Sequence, residues 1–525
     1  MRRGPFGLKE AEMIACYTDR TSLEPGESFR LFASAAETRC RLEVARLGAS
    51  RQVTFTKEAV QIGRHATADG ADRKGCGWPS CLQLQVGADW SSGYYDVALF
   101  DQAGGEAHHF IVVRPAPDAP RARAAIILST NTWHAYNWWG GANAYADVAG
   151  LMDRRLDLAA AMEGALGELS TQRPFPPMLI HPPADVPRLV NKRRRGFRER
   201  PFASDPNWPR RRERSPYDSA AGFVHKWEHR FVQWAEGRNL ALDYFTDFDL
   251  ESGPECLEPY ACVILVGHSE YWSALQRDAL ETFVDGGGGL AIFSGNTAFW
   301  KVRWEEAGKR LICRKWKGLT DDDRDKIEPE FATHLWSHPA FGRPEAELTG
   351  LSFLFGGYHR LGLCVARGAG GYTVYDEHHW ALEGADLFFG DVIGAEIPLI
   401  GYENDGCRFR FAADGRLKAE PILGVPADLE IIAIAPVAFA EEEGRGYRPL
   451  IPPEKLDVIL SEVFGDHSIQ ARRRLLHGHA AMAAFRRGKG EVFNAGTTEW
   501  AHGLAAGDPF VERITLNVLS RFGGI

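Results

Sequence analysis

The sequence predicts an α/β protein preceded by an all-β N-terminal domain, and a change of pattern near residue 118 carries this prediction. Up to about residue 115, short segments alternate polar and apolar residues between turns such as Pro25-Gly26. That spacing favours an antiparallel β-sandwich. Short apolar runs then alternate with helical spacing, which is typical of a doubly wound parallel sheet. We therefore expect a sandwich over residues 1–118 and an α/β domain over residues 119–525.

The sandwich prediction depends on four alternating segments and on the linker that follows them. The proline-rich stretch Arg114 to Pro120 ends the alternating pattern and indicates a linker. The four predicted strands are Ser28–Ala33, Arg41–Leu47, Tyr94–Phe100 and His109–Val113.

The α/β prediction depends on uniformly apolar runs, which indicate strands buried on both faces of a sheet. Gly286 to Gly289 follows a helical segment, as expected for a glycine helix end and a tight turn. The predicted strands are Ala124–Ser129, Leu240–Phe245, Cys262–Val266, Leu290–Phe293 and Gly490–Asn494, and the predicted helices are Ala221–Glu236, Leu275–Val284 and Pro509–Phe522.

Composition excludes several classes of protein. The chain has 525 residues, a net charge of −9 and nine cysteines without a CxxC pair, which argues against zinc ribbons and a disulfide framework. No apolar run reaches the roughly 18 residues of a membrane span, and the N-terminus lacks the apolar region of a signal peptide. We expect a cytoplasmic protein that contacts neither membrane nor nucleic acid.

A Pro/Arg-rich insertion spans residues 170–216, with basic runs at Lys192–Arg195 and Pro209–Arg212. Clustered like charges repel each other and remain solvated, so a solvated loop is the simplest interpretation. A contact surface for an acidic partner chain is the alternative, followed by nucleic acid.

Three loops leave the carboxyl ends of predicted strands, where open α/β sheets bind ligands. The first loop carries His134 and Tyr136, the second carries His268 and Glu270, and the third carries Asn296. Parallel-sheet geometry would bring these side chains to one edge on an aromatic floor, a setting suited to a small molecule.

These residue types permit metal chemistry. Glu and Tyr are hard oxygen donors, and Tyr binds as phenolate only beside a strongly polarising cation such as ferric iron. A metal held by protein oxygens could polarise a carbonyl and activate water, which His268 could orient or deprotonate, while Asn296 could donate to an oxyanion. Packing of the Tyr and a structural His–Glu pair remain alternatives, and no HExxH, GxSxG triad or phosphate loop is present.

At these positions the chain resembles the N,N-dimethylformamidase large (beta) subunit-like family, over its C-terminal catalytic domain. The similarity runs in order from about residue 125 to the C-terminus. The segments that carry it are Thr132–Gly141, Ser215-Pro216-Tyr217-Asp218, Trp227-Glu228, Trp234-Ala235-Glu236, Asp243–Leu250, Gly267–Trp272, Gly295-Asn296, Trp300–Arg303, Gly401–Asp405 and Ala495–Trp500.

The resemblance implies hydrolysis of a small amide to an amine and a carboxylic acid, on a glutamine-amidotransferase-like fold. It implies a mononuclear iron, as Fe(III), held by Tyr136, Tyr217 and Glu270, with His268, Asn296 and Glu403 around it as the other site residues. Dimethylformamidase works with a small second subunit, so such a subunit is a candidate partner, and we also expect a homo-oligomer.

The chain departs from the family pattern at two places. Ser215 replaces the family's Arg before Pro-Tyr, and Arg200-Pro201-Phe202 offers a competing alignment, but Phe cannot ligate a metal. Glu499 and His502 add a carboxylate and an imidazole to the last motif. Two other functions stay open: a non-catalytic ligand-binding or assembly protein, and a metal-free hydrolase that uses Glu270 and His268 directly.

Overall fold

The computed structural model describes residues 14–36, 39–152, 155–156, 158–181, 222–224, 226–317, 328–359, 370–394, 397, 399–439 and 453–524. The strands in this part of the chain are β1 (Ala15–Thr18), β2 (Ser22–Leu23), β3 (Ser28–Ser34), β4 (Arg39–Leu47), β5 (Arg51–Gln61), β6 (Ser80–Gln85), β7 (Gly93–Phe100), β8 (Glu106–Val113), β9 (Ala124–Leu128), β10 (Glu168–Ser170), β11 (Leu242–Thr246), β12 (Cys262–Gly267), β13 (Tyr271–Ser273), β14 (Gly289–Ser294), β15 (Trp300–Glu305), β16 (Arg310–Ile312), β17 (Ser352–Gly357), β18 (Tyr372–Val374), β19 (Val392–Ile393), β20 (Asn404–Gly406), β21 (Phe409–Phe411), β22 (Leu417–Ala419), β23 (Glu430–Ala438), β24 (His477–Arg487) and β25 (Gly490–Asn494).

The α-helices in the described residues are mostly short. They are Ala71–Lys74, Thr130–Tyr136, Val148–Met152, Leu158–Glu163, Pro177–Ile180, Glu228–Gly237, Ala274–Gly286, Ala346–Thr349, Pro453–Val458, Ile469–Leu476, Trp500–Ala505 and Pro509–Gly523. None of the helices in these ranges combines the length and the apolar character that crossing a membrane requires.

The N-terminal region is β-rich, as predicted. One sheet has the order β1-β3-β6 and the other has the order β2-β8-β7-β4-β5, with antiparallel pairing throughout except between β2 and β8. Side chains that alternate inward along these strands, such as Leu42, Val44 and Val97, form a single apolar cluster. The alternation of polar and apolar residues therefore correctly predicted sheets with one buried face.

A nine-stranded mixed sheet forms the centre of the rest of the molecule, in the order β11-β9-β12-β14-β25-β24-β23-β18-β19. The five strands from β11 to β25 are parallel to one another, and the sequence predicted a strand at each of the five positions. Ile126 and Ile264 face one core, whereas Ile127 and Val263 face the other, so these strands are covered on both sides.

The other four strands of this sheet pair in antiparallel fashion, whereas the sequence predicted a parallel sheet. β24 and β25 are joined by only Gly488 and Lys489, and Gly488 has φ +56°. A two-residue connection makes a hairpin and cannot make a parallel crossover. The α/β class is thus confirmed with a mixed sheet, while the doubly wound, amidotransferase-like arrangement and the two domain boundaries stay predictions.

Two local predictions differ from the structure. The segment after β9 was expected to be a loop, but Thr130–Tyr136 is a short helix. The helix expected over 221–236 begins at Glu228. Its predicted apolar face is buried all the same, because Phe223 and Phe231 lie in the main core.

The N-terminal sheets pack directly against the mixed sheet. Tyr94 of β7 stacks on Phe223, with ring centroids 4.2 Å apart. Arg46 of β4 forms a 2.7 Å ion pair with Glu236, and Tyr244 Oη donates to the same carboxylate at 2.7 Å. Aromatic packing and an ion pair therefore join the N-terminal sheets to the rest of the molecule.

Candidate active site

The three chemistry-bearing segments meet at the carboxyl edge of the parallel strands, as the sequence predicted. β12 pairs in register with β9 and β14, so the residues that follow these strands are neighbours in space. β12 ends at Gly267, whose φ of +80° turns the chain into His268 and Glu270. An added Cβ at Gly267 would lie 2.5 Å from Trp227 Cβ, so the position needs glycine on both counts.

The structure brings four of the predicted residues together. His268 Nε2 lies 2.9 Å from Glu403 Oε2 and 3.2 Å from Glu270 Oε2. Tyr136 Oη lies 3.2 Å from the same nitrogen and 3.1 Å from Tyr402 Oη. All of these side chains are buried, which makes a compact cluster of two carboxylates, one imidazole and two phenols.

The backbone determines the orientation of the His268 ring. Its Nδ1 donates to the carbonyl oxygen of Gly295 at 3.1 Å, so Nε2 is the nitrogen that faces the carboxylates. Burial lowers the pKa of His268, but the charges and hydrogen bonds of Glu403 and Glu270 outweigh burial and raise the pKa to about 10.

Glu270 receives several donors. Tyr145 Oη lies 2.6 Å from both carboxylate oxygens, and Trp300 Nε1 donates to Oε1 at 2.8 Å. Burial would raise the pKa of Glu270, yet the hydrogen bond and charge of His268, followed by the charge of Lys315, lower it. These donors orient the Glu270 carboxylate and favour its ionised form.

Lys315 is a buried cation beside this carboxylate. Its Nζ lies 3.2 Å from the centroid of the Tyr145 ring and finds no hydrogen-bond partner among the described residues. Burial lowers the pKa of Lys315 to about 8, although the nearby Cys313, Glu270 and Glu403 counteract part of this effect. The ammonium therefore interacts with the site through an aromatic face and through charge.

Asn296 directly follows Gly295, whose carbonyl oxygen contacts His268, and has a left-handed conformation with φ +52°. Its backbone N–H and that of Thr297 donate to Asp405 at 2.9 and 3.1 Å. The Asn296 Oδ1 atom is buried and has no hydrogen-bond partner within the described ranges. Asp405 therefore stabilises the turn that carries Asn296.

Sequence reasoning missed several residues of the cluster, namely Tyr145, Tyr402, Tyr358 and Lys315. Tyr402 directly precedes Glu403, and Tyr145 follows the Gly140-Gly141 turn closely, so a search for every phenol near the motifs would have found both. Burial raises the pKa of the four phenols Tyr136, Tyr145, Tyr358 and Tyr402, and the nearby carboxylates raise it further.

Two of the expected residues do not appear in the part of this cluster that the structure describes. Tyr217 lies outside the described residues, so its assignment as a ligand stays a prediction. His134, expected at the edge of the sheet, is buried against Phe175 and Trp304 instead, because the helix Thr130–Tyr136 directs it away from Tyr136. Glu499 is also buried and accepts from Trp227 Nε1 at 3.3 Å, and the Trp227 ring in turn packs against Tyr402.

The donor set fits a hard cation. Carboxylate and phenol oxygens from Glu270, Glu403, Tyr136 and Tyr145 converge here in a buried setting. Buried phenols retain their protons unless a cation stabilises the phenolate, so a site rich in tyrosines suits a strongly polarising ion such as ferric iron. Among the residues described, Tyr136 and Glu270 can serve as its ligands.

Three solved structures that match parts of this chain do so at low identity. They are Escherichia coli alpha-2-macroglobulin activated by porcine elastase (11% identity, 21% of this chain and 9% of that chain, TM-score 0.15), a Paenibacillus sp. cycloisomaltooligosaccharide glucanotransferase complexed with cycloisomaltoheptaose (16%, 25% and 20%, 0.15) and a fungal alcohol oxidase of the AA5 family in complex with copper (18%, 19% and 20%, 0.12). This chain spans at most a fifth of each of them, and these TM-scores carry no argument about fold or function.

A comparison with curated proteins finds no match. In contrast, the sequence profile of a family described as N,N-dimethylformamidase beta subunit-like, C-terminal, matches residues 41–513, which is nearly the whole chain. The match includes Tyr136, His268, Glu270, Asn296 and Glu403. The chain therefore belongs to the N,N-dimethylformamidase beta subunit-like family.

Proposed function

We propose that this protein is an iron-dependent amidohydrolase that cleaves the C–N bond of a small amide, similar to N,N-dimethylformamide, to an amine and a carboxylic acid. The convergence of Tyr136, His268, Glu270 and Glu403 in one buried cluster carries the proposal. Membership of a dimethylformamidase-like family supports a hydrolase.

Tyr136, Glu270 and Tyr217 would hold the iron in this proposal. Iron bound here would supply Lewis-acid chemistry, which polarises a carbonyl group and makes water more acidic. Tyr145 and Trp300 would keep Glu270 oriented, since both donate to its oxygens in the present structure.

The proton steps of the reaction would belong to His268 and Glu403. Because His268 Nδ1 is held by Gly295 O, its Nε2 can hold a proton or pass it to Glu403 Oε2, 2.9 Å away. Glu403 would take a proton from the attacking water, and protonated His268 would give its Nε2 proton to the departing nitrogen. Transfer of the proton from Glu403 to Nε2 would then restore both groups. Asn296 would donate to the oxygen that becomes negative.

The decisive experiment measures metal, colour and activity on one preparation of the full chain. We expect about one iron per chain, a tyrosinate-to-iron absorption band, and amine release from dimethylformamide-like amides. Glu270→Gln and Tyr217→Phe should each lose iron and activity, whereas Tyr244→Phe, remote from the site, should retain both.

Other outcomes would identify a different function. An active chain without metal would favour direct hydrolysis by Glu270 and His268. A folded chain that stays inactive after iron is supplied would exclude the proposal, provided that the small second subunit suggested by the family is tested as a partner. Light scattering of the same preparation would test the proposed homo-oligomer.

A further inference from the structure

We propose that Asp96, His108 and His181 form a second metal site, for a divalent cation of the Zn²⁺ class, at the junction of the N-terminal sheets with the rest of the molecule. The site shares no residue with the cluster of Tyr136, His268, Glu270 and Glu403, so this proposal does not depend on the proposed hydrolase function.

Strand register and helix packing bring the three side chains together. Asp96 of β7 pairs with Phe110 of β8, and His108 lies two residues before Phe110, so Asp96 and His108 are diagonal neighbours on one face of the sheet. His181 follows the helix Pro177–Ile180, which packs against β8. The cluster therefore joins two regions far apart in sequence.

The distances fit a metal site that closes by a small adjustment. One possible ligand atom from each residue lies within 4.8 Å of the others. Tetrahedral zinc, with bonds of about 2.0–2.1 Å, places its ligand atoms about 3.3 Å apart, so the atoms need to approach by at most about 1.5 Å. The His108 and His181 rings stack at 3.9 Å with an angle of 1° between their planes. Because rings stacked in parallel hold their lone pairs in separate planes, the His181 ring would have to rotate out of this stack to bind the same ion as His108.

Two ring nitrogens give an independent reason to expect a ligand. His108 Nε2 and His181 Nδ1 are buried and have no hydrogen-bond partner among the residues that the structure describes. A buried polar atom without a partner destabilises the folded protein, so two such atoms in one cluster need an explanation. A cation that accepts their lone pairs provides it.

The surrounding groups match a known pattern of zinc coordination. Asp96 lies 2.9 and 3.1 Å from His108 Nδ1, which leaves Nε2 as the ligand atom, in the manner of a carboxylate that orients a metal-binding histidine. Glu106 Oε2 lies 3.8 Å from that Nε2 and offers one more oxygen. With the ion at Nε2, Asp96 is therefore the orienting group, and it would be a direct ligand only for an ion bound at Nδ1. Imidazole ligands favour zinc, whereas the phenols and carboxylates around Glu270 favour a harder ion.

The test uses the full chain, stripped of metal with a chelator and titrated with ZnCl₂ by calorimetry. Glu270→Gln serves as the background, because it weakens the other metal site. We expect this variant to bind one equivalent of Zn²⁺, and we expect the addition of His181→Gln to abolish that binding. The matched control adds His378→Gln, a histidine whose side chain is 79% exposed, and should still bind one equivalent.

Equal zinc binding with and without His181→Gln would overturn the proposal, and so would the absence of zinc binding in the Glu270→Gln background. A second measurement does not depend on any variant. Anomalous scattering at the zinc edge, from wild-type crystals grown with ZnCl₂, should locate an ion between Asp96, His108 and His181. Zinc found only at other positions would refute the site.

Discussion

Replacing Tyr145 with Phe tests how the protein holds its proposed iron-binding carboxylate. The Tyr145 hydroxyl lies 2.6 Å from both oxygens of Glu270, closer than Trp300 Nε1 at 2.8 Å or His268 Nε2 at 3.2 Å. A hydrogen bond to a charged group contributes about 1.5–3 kcal/mol. Because about 1.4 kcal/mol corresponds to a factor of ten, Tyr145→Phe should reduce iron affinity and kcat/KM by about 10- to 150-fold. Loss of a group that orients a metal ligand typically has an effect of this size.

The assay combines iron titration against a competing chelator with amine release from a dimethylformamide-like amide. Tyr244→Phe is the matched control, because its hydroxyl also donates to a glutamate, the half-buried Glu236, at 2.7 Å but lies at the junction with the N-terminal sheets. The control should lose stability and keep iron affinity and turnover per folded molecule. Wild-type iron affinity and turnover in Tyr145→Phe would refute the orienting role. A changed tyrosinate absorption band in that variant at full iron occupancy would make Tyr145 a ligand and refute the assignment of Tyr217.

Three further predictions concern charge and backbone around the site. Burial raises the pKa of Glu228 from 4.5 to about 8, and its Oε2 has no hydrogen-bond partner in the described ranges, so the folded protein binds this proton more tightly than the unfolded chain does. The stabilisation by this group is therefore complete below about pH 4.5 and is lost as the pH rises to 8. In urea unfolding, the free energy of unfolding of Glu228→Gln should fall by up to about 4 kcal/mol less over this range than that of the wild type. The same pH dependence of stability in both proteins would contradict this prediction. Gly267→Ala should lower the free energy of unfolding by at least about 2 kcal/mol, because the new Cβ meets Trp227 at φ +80°, and an unchanged melting temperature would contradict this. Lys315→Met should lower kcat/KM by about tenfold, because the variant loses the desolvated cation–π contact with Tyr145 and the positive charge near Glu270. Lys309→Met, at an exposed position, is the control, and an equal loss of kcat/KM in both variants would contradict this prediction.

Much of the site could be predicted because it follows from strand ends. Tyr136, His268, Glu270 and Asn296 each follow an apolar run, and parallel strands in register place their ends side by side. Tyr145 and Tyr402 do not follow such runs. Tyr145 lies 125 residues from Glu270, and Tyr402 lies 266 residues from Tyr136, so only the paths of their loops bring them into contact.

The sequence by itself determined the β-rich N-terminal region, the five parallel strands and the carboxyl edge where the chemistry gathers, because periodicity and burial act locally along a strand. Only the tertiary structure decided that four further strands join the sheet in antiparallel fashion, since pairing depends on partners distant in sequence. It also decided which hydroxyls reach Glu270, that Lys315 is buried above Tyr145, and that His108 and His181 stack beside Asp96. Contacts of this kind depend on loop paths and on side-chain packing between distant segments, and no local pattern in the chain encodes them.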